Sequence, residues 1–265
     1  MEAAPSHLSV LSLDNPAAPG ILLLVLISLL AVLGYRAIRK DRNEYQRFKR
    51  FERTRNRQRM MRKWLLDSLT MFGGAAVIIL VLAGQFVSPL MKEVDRWPVG
   101  VWWNSMLSNT GGVVPGFAIG LAIALVGGTI VAVVVARRSD SVPTIGDIGA
   151  LLPRNRPELV LGALLSVNAG IVEELLFRLA VPALIFGATG SALAGVIGGV
   201  MVFGALHFYQ GWPGIVGATV IGAILMVLYL ATGSILVAIV AHALIDLRSL
   251  VLIPMLVFRV QRVRA

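Results

Sequence analysis

Seven ionisable residues stand in stretches that are otherwise apolar: Glu173, Glu174, Arg178, His207, His242, Asp246 and Arg248. At the centre of a membrane helix such a group costs roughly 2.5–3.5 kcal/mol on insertion scales, so it needs a partner or a purpose. Helical geometry sorts them. Glu174 and Arg178 are four apart, share a face and can form an ion pair. Glu173 is turned about 100° away from Glu174, which leaves it free to face something else. His242 and Asp246 again lie four apart, and His207 ends an apolar run with Phe203 one turn behind it.

Two histidines and two or three carboxylates converging inside a membrane suit a hydrolytic centre. A divalent metal, zinc first, held by His207, His242 and Asp246 would lower the pKa of bound water from 15.7 to about 7. A nearby Glu then takes the proton as the nucleophile attacks an amide. Without metal, the Glu and a His could activate water directly, the remaining His and Asp stabilising the oxyanion. The competing explanation is a set of polar clasps between helices. Two other functions use the same residue types. One is a proton- or cation-coupled transporter, against which stands the absence of a matching pair of Gly/Pro-broken spans in two halves of the sequence. The other is a non-catalytic membrane scaffold.

The elements that must position these residues are membrane helices. Of 265 residues, 57% are hydrophobic and 14% are charged, and the mean hydropathy is +0.82. Soluble domains carry about a quarter charged residues, so the expected fold class is all-α, a polytopic membrane helix bundle. Runs of about 18 apolar residues or more can cross ~30 Å of hydrocarbon. They place seven transmembrane helices near 15–35, 68–91, 113–136, 159–186, 193–210, 214–231 and 234–257. The segment around Trp97, Pro98, Trp102 and Trp103 reads as an interfacial aromatic loop. Gly112, Gly116 and Gly120, and likewise Gly195 and Gly199, have the small-xxx-small spacing of close helix packing. If the fourth helix runs through Pro182 to about Phe186, then Glu174, His207 and Asp246 all lie roughly 20 Å below the outer surface and can meet. There is no cysteine, hence no disulfide or thiolate chemistry.

Thirteen of the 24 Lys and Arg fall between Arg36 and Lys63. With the N-terminus outside and the C-terminus cytoplasmic, twenty of 22 loop basic residues lie on the cytoplasmic side. The first span is followed at once by Arg36, Arg39 and Lys40, a stop-transfer flank that marks a membrane anchor and not a cleaved signal. The basic segment 36–63 is expected to lie against anionic lipid with Phe48 and Phe51 dipping in, and no nucleic acid is expected. Asp67 sits close to it, at the interface. The division is an N-terminal region 1–158 containing the arm, a catalytic core 159–257 and a cytoplasmic tail 258–265.

Glu173-Glu174-x-x-x-Arg178, then Phe203-x-x-x-His207, then His242-x-x-x-Asp246 resembles the three motifs of the CPBP family, the CAAX-protease and bacteriocin-processing intramembrane endopeptidases. The resemblance covers roughly residues 159–250, in motif order and approximate spacing. It implies that Glu173 is the catalytic base acting on water, that Glu174 and Arg178 support and orient it, and that His207 and His242 are metal ligands or water-activating groups. Family members usually carry Asn where this chain has Asp246, and an aspartate there leans toward metal ligation. Eukaryotic relatives cut prenylated C-terminal peptides from the cytosolic face. The composition here, with four Lys among 24 basic residues, reads as a bacterial cell-membrane protein. The expected substrate is then a membrane peptide or protein such as a bacteriocin or pheromone precursor, a signal-peptide remnant or the membrane part of a regulator.

Overall fold

The computed structural model describes residues 11, 15–109, 113–139 and 144–263. Among them every regular element is helical. Helix α1 (Ala18–Tyr35) runs through a wide π turn into α2 (Arg42–Lys49). α3 (Thr54–Ser68) continues as α4 (Gly74–Ala83) and α5 (Val87–Asp95), and α6 (Pro98–Asn109) and α7 (Val113–Ser139) follow. The later part holds α8 (Arg156–Glu174), α9 (Val181–Thr189), α10 (Ala192–Leu206), α11 (Gly211–Thr232), α12 (Ile235–Leu247) and α13 (Ile253–Val257). Six continuous helical stretches are long and apolar enough to span a membrane. One of them, Ala192–Thr232, folds back at Gly211 (φ +76°) so that α10 packs against α11. That gives seven crossings, as the apolar runs predict, and a multi-pass membrane protein.

Local chemistry sets the element ends. The Asn155 side chain accepts the Glu158 amide at 3.0 Å and starts α8, with Pro157 in its first turn. Ser191 caps α10 through the Ala194 amide at 3.2 Å. Gly190 and Gly233 close α9 and α11 in the left-handed region, where glycine alone carries no Cβ penalty.

The core lies where α8 meets α12 and α9 meets α1 and α10. Gly170 makes the first contact possible: a Cβ there would stand 3.0 Å from the Ala243 amide and from the Ile239 carbonyl. Gly195 and Gly199 do pack closely, against the Pro182 and Phe177 carbonyls. The corresponding expectation on α7 is corrected, because Gly116 and Gly120 face open space; Gly112 lies outside the described residues. Trp97–Trp103 is also corrected, since Pro98–Trp103 form the start of the α6 helix and bury Trp103 instead of forming a loop.

The basic arm is the larger correction. Phe48 is fully buried, packed with Met60, Met61 and Leu161, so it faces protein and not lipid. Apolar protein surface was available because α3 lies along α8. The Arg57 guanidinium, 4.3 Å above the Phe48 ring, donates from Nε to both Glu158 oxygens (3.1 and 3.3 Å) and from an Nη to the Ala150 and Leu152 carbonyls. Asp67 meets Lys40 at 2.8 Å and Lys63 at 2.7 Å. Tyr45 donates its hydroxyl to the Asp147 carbonyl and packs edge-on against Tyr209. The arm, the 144–151 loop and the α10–α11 turn thus gather at one end of the bundle.

Candidate active site

Between these elements lies a cavity of about 380 Å³. Glu173, His207, His242 and Asp246 all line it, from α8, the end of α10 and α12. Glu174 and Arg178 do not. They sit behind the wall, fully buried, with Arg178 Nε 3.1 Å from Glu174 Oε2 and the guanidinium 4.6 Å above the Phe203 ring. The helix widens into a π turn at Leu175–Ala180, immediately after the two glutamates; such turns recur at functional sites. Glu173 and Glu174 therefore diverge as the helical period requires, one toward the cavity and one into the core.

Glu174 has a second partner. His242 Nδ1 stands 2.7 Å from Glu174 Oε1, and since a carboxylate only accepts, the imidazole donates. His242 Nε2 lies 3.8 Å from Asp246 Oδ2, beyond hydrogen-bond length. His207 donates from Nδ1 to the Phe203 carbonyl at 2.8 Å. Both rings therefore spend Nδ1–H on fixed acceptors and, when neutral, present Nε2 as a lone pair. Phe203, with its ring 4.8 Å from His207 and 5.9 Å from His242, separates and braces the two. Arg248 faces elsewhere, donating to Thr129 on α7 at 3.0 Å.

Two imidazole lone pairs and two carboxylates are chemically suited to a divalent cation. Among the described residues no group of three His, Asp or Glu is drawn together closely enough to hold an ion.

Sequence reasoning left out part of the wall. Tyr209 and Gln210 face the cavity just past His207, with Gln210 Nε2 donating to the Tyr209 hydroxyl at 2.9 Å. Their position, two polar residues after a candidate histidine in an apolar hairpin, was the available signal. Asn168 also lines the cavity and donates to Ser68 at 2.9 Å, tying α8 to the end of α3. Arg36, Asp41, Tyr45 and Met61 line the cavity from the arm and Trp64 from just beyond it, and their place within a basic run gives no sign of it.

Residues 155–248 match the family model described as type II CAAX prenyl endopeptidase Rce1-like. That stretch of the chain is Rce1-like, in agreement with the resemblance carried by the three motifs. No curated protein and no solved structure matches the chain.

Proposed function

We propose that the protein is an intramembrane endopeptidase that hydrolyses peptide bonds of membrane-associated peptides or proteins. The observation that supports it most is the division of labour within the Glu pair. Glu174 is held by His242 and Arg178, whereas Glu173 stands on the cavity wall with His207, His242 and Asp246. The family match over residues 155–248 points the same way.

In this reading Glu173 accepts a proton from a water whose oxygen attacks the scissile carbonyl carbon. The water's second proton is held by the Nε2 lone pair of one histidine, His207 or His242. The Tyr209 hydroxyl accepts from Gln210 and keeps its own proton to donate to the developing oxyanion. Collapse of the tetrahedral species breaks the C–N bond, and the proton held by Glu173 goes to the departing amine. Glu174 fixes the His242 tautomer and ring orientation from behind, as carboxylates commonly do for functional imidazoles.

Zinc-assisted activation is the competing form of the same reading. It draws support from the two free Nε2 atoms, and it requires His207, His242 and Asp246 to close around an ion. The outward face of the arm, where Arg47, Arg50, Arg53 and Arg55 are exposed, is assigned to anionic lipid of the cytoplasmic leaflet. The chain is read as a bacterial cell-membrane protein with its N-terminus outside.

The test uses purified full-length protein in lipid nanodiscs, a library of membrane-anchored peptides and mass spectrometry of the products. Wild type is run beside Glu173→Gln, with metal content measured and with and without chelator. Cleavage that disappears in Glu173→Gln supports the reading; equal cleavage by both overturns it and favours the transporter or scaffold. Loss of bound metal and activity together under chelator selects the zinc form.

A further inference from the structure

The cavity wall carries three carboxylates, Asp41, Glu173 and Asp246, and among its described lining residues Arg36 is the one Lys or Arg. Arg36 lies outside the stretch that matches the family and follows directly on α1. It is 8% exposed. Asp41 takes its Nε edge at 3.1 Å, and its other side is laid over the Phe72 ring, 5.0 Å from the centroid. Its Nη1 is buried without a hydrogen-bond partner among the described residues. A guanidinium has five N–H donors in a planar fork that matches a carboxylate. Leaving one of those donors buried and unmet is costly, and the part of the guanidinium side chain that lines the cavity is what an incoming anion would meet, with a small shift of the side chain turning Nη1 toward it.

We propose that Arg36 is the carboxylate-recognition residue of this cavity, binding an anionic end of the peptide substrate. The inference rests on the endopeptidase reading for its substrate class. Geometry limits how far the carboxylate lies from the cleaved bond. An aromatic row leads from Arg36 over Phe72 to Phe177 and Phe203, with steps of 5.0, 6.3 and 5.4 Å, and Phe203 braces both histidines. At ~3.3 Å per extended residue, that row spans no more than about five residues. The chemistry fits either a C-terminal carboxylate or an Asp or Glu side chain placed close to the scissile bond.

The experiment measures binding, so that it does not depend on turnover. Three dye-labelled, palmitoylated nonapeptides of Ala and Leu are used: one with a free C-terminal acid, its carboxamide, and a carboxamide ending in Asp. Affinities for full-length Glu173→Gln protein in phosphatidylcholine nanodiscs are read by fluorescence anisotropy. The free acid is expected to bind about tenfold tighter than its carboxamide. Adding Arg36→Gln should bring the two together, and Arg36→Lys should keep a smaller preference because its charge lacks the fork. If the Asp carboxamide binds like the acid, any carboxylate at that position suffices; if it binds like the plain carboxamide, the chain terminus is recognised. Should Arg36→Gln fail to fold, the acid-to-amide ratio with Arg36 intact, compared with the ratio in Arg36→Lys, decides. Equal binding of acid and carboxamide with Arg36 present, or an undiminished preference in Arg36→Gln, overturns the proposal. Cleavage of the same peptides by wild type is scored separately. Acid-selective binding with no cleavage anywhere retires the endopeptidase reading and leaves Arg36 as an anion site.

Discussion

His242 donates its Nδ1 proton to Glu174 at 2.7 Å across 68 residues of sequence, so the second glutamate of the pair belongs as much to α12 as to its own helix. A carboxylate in that place holds the imidazole in one tautomer and leaves Nε2 for the cavity. Glu174→Gln keeps an acceptor oxygen, so it should retain more activity than Glu174→Ala. Peptide cleavage by the two variants, at matched folded fraction, checks the order. Equal loss in both would mean that the charge, not the hydrogen bond, is what His242 needs.

Glu173, His207 and His242 should behave as one unit. Groups that share a single water lose nearly everything when any one is removed. Each single Ala variant is therefore expected to approach the triple variant in kcat/KM, on the order of 10²–10⁴ below wild type, the range of general acid–base contributions. Three losses that multiply independently would argue against a shared water. Asp246→Asn is the informative companion. With Asp246 Oδ2 3.8 Å from His242 Nε2, an orienting role predicts much activity kept, and a ligand role predicts loss of bound metal.

Arg178 lies in the core and not on the cavity wall, so its removal should act mainly through stability. Arg178→Ala leaves Glu174 with one partner in a buried site, and breaking a buried pair typically costs about 3–5 kcal/mol. Thermal unfolding in detergent should shift down together with activity. A variant of wild-type stability with activity abolished would move Arg178 into the chemistry.

The Arg57–Glu158 pair makes a parallel prediction at the other end of α8. Both side chains are fully buried, and Arg57→Ala also frees the Ala150 and Leu152 carbonyls. A loss of about 3–5 kcal/mol is expected here too, accompanied by protease sensitivity in 42–63 as the arm lets go. An exposed neighbour such as Arg55→Ala should change stability by no more than ~0.5 kcal/mol. Similar effects from both would show that the arm is not held by this pair.

Topology can be tested with reporter fusions at Arg55 and Asp95. Cytoplasmic signal from Arg55 and external signal from Asp95 are expected. The reverse pattern would overturn the orientation and place the cavity end of the bundle outside.

The spans were legible because 3.6-residue helices in lipid must be apolar throughout, and the glycine punctuation at Gly190, Gly211 and Gly233 marks their ends. That the polar residues of α8, α10 and α12 could meet was legible from the matched depth of Glu174, His207 and Asp246. The partnership of Glu174 with His242 was not, because it depends on Gly170 letting α12 approach α8, a lateral contact that spacing along one helix does not encode. The docking of the arm was hidden for a similar reason. Arg57 looks like the twelve other basic residues of 36–63, and only its meeting with Glu158, 101 residues later, singles it out.

The wide turn at Leu175–Ala180 has a consequence for how this helix can change. A π turn holds one residue more than the α-helical count, the equivalent of a single insertion absorbed without breaking the rod. Deleting one residue between Leu175 and Ala180 would restore the regular count and leave the far side facing as it does, whereas the same residues rewound as a regular α-helix would rotate everything beyond by about 100°. Pro182 and the face that meets Gly195 and Gly199 would then point away from α10, while Glu173 and Glu174 stayed in place. In that sense the turn is a phase adjuster: it lets the chemistry on α8 and the packing of α9 obey different helical registers on one continuous span.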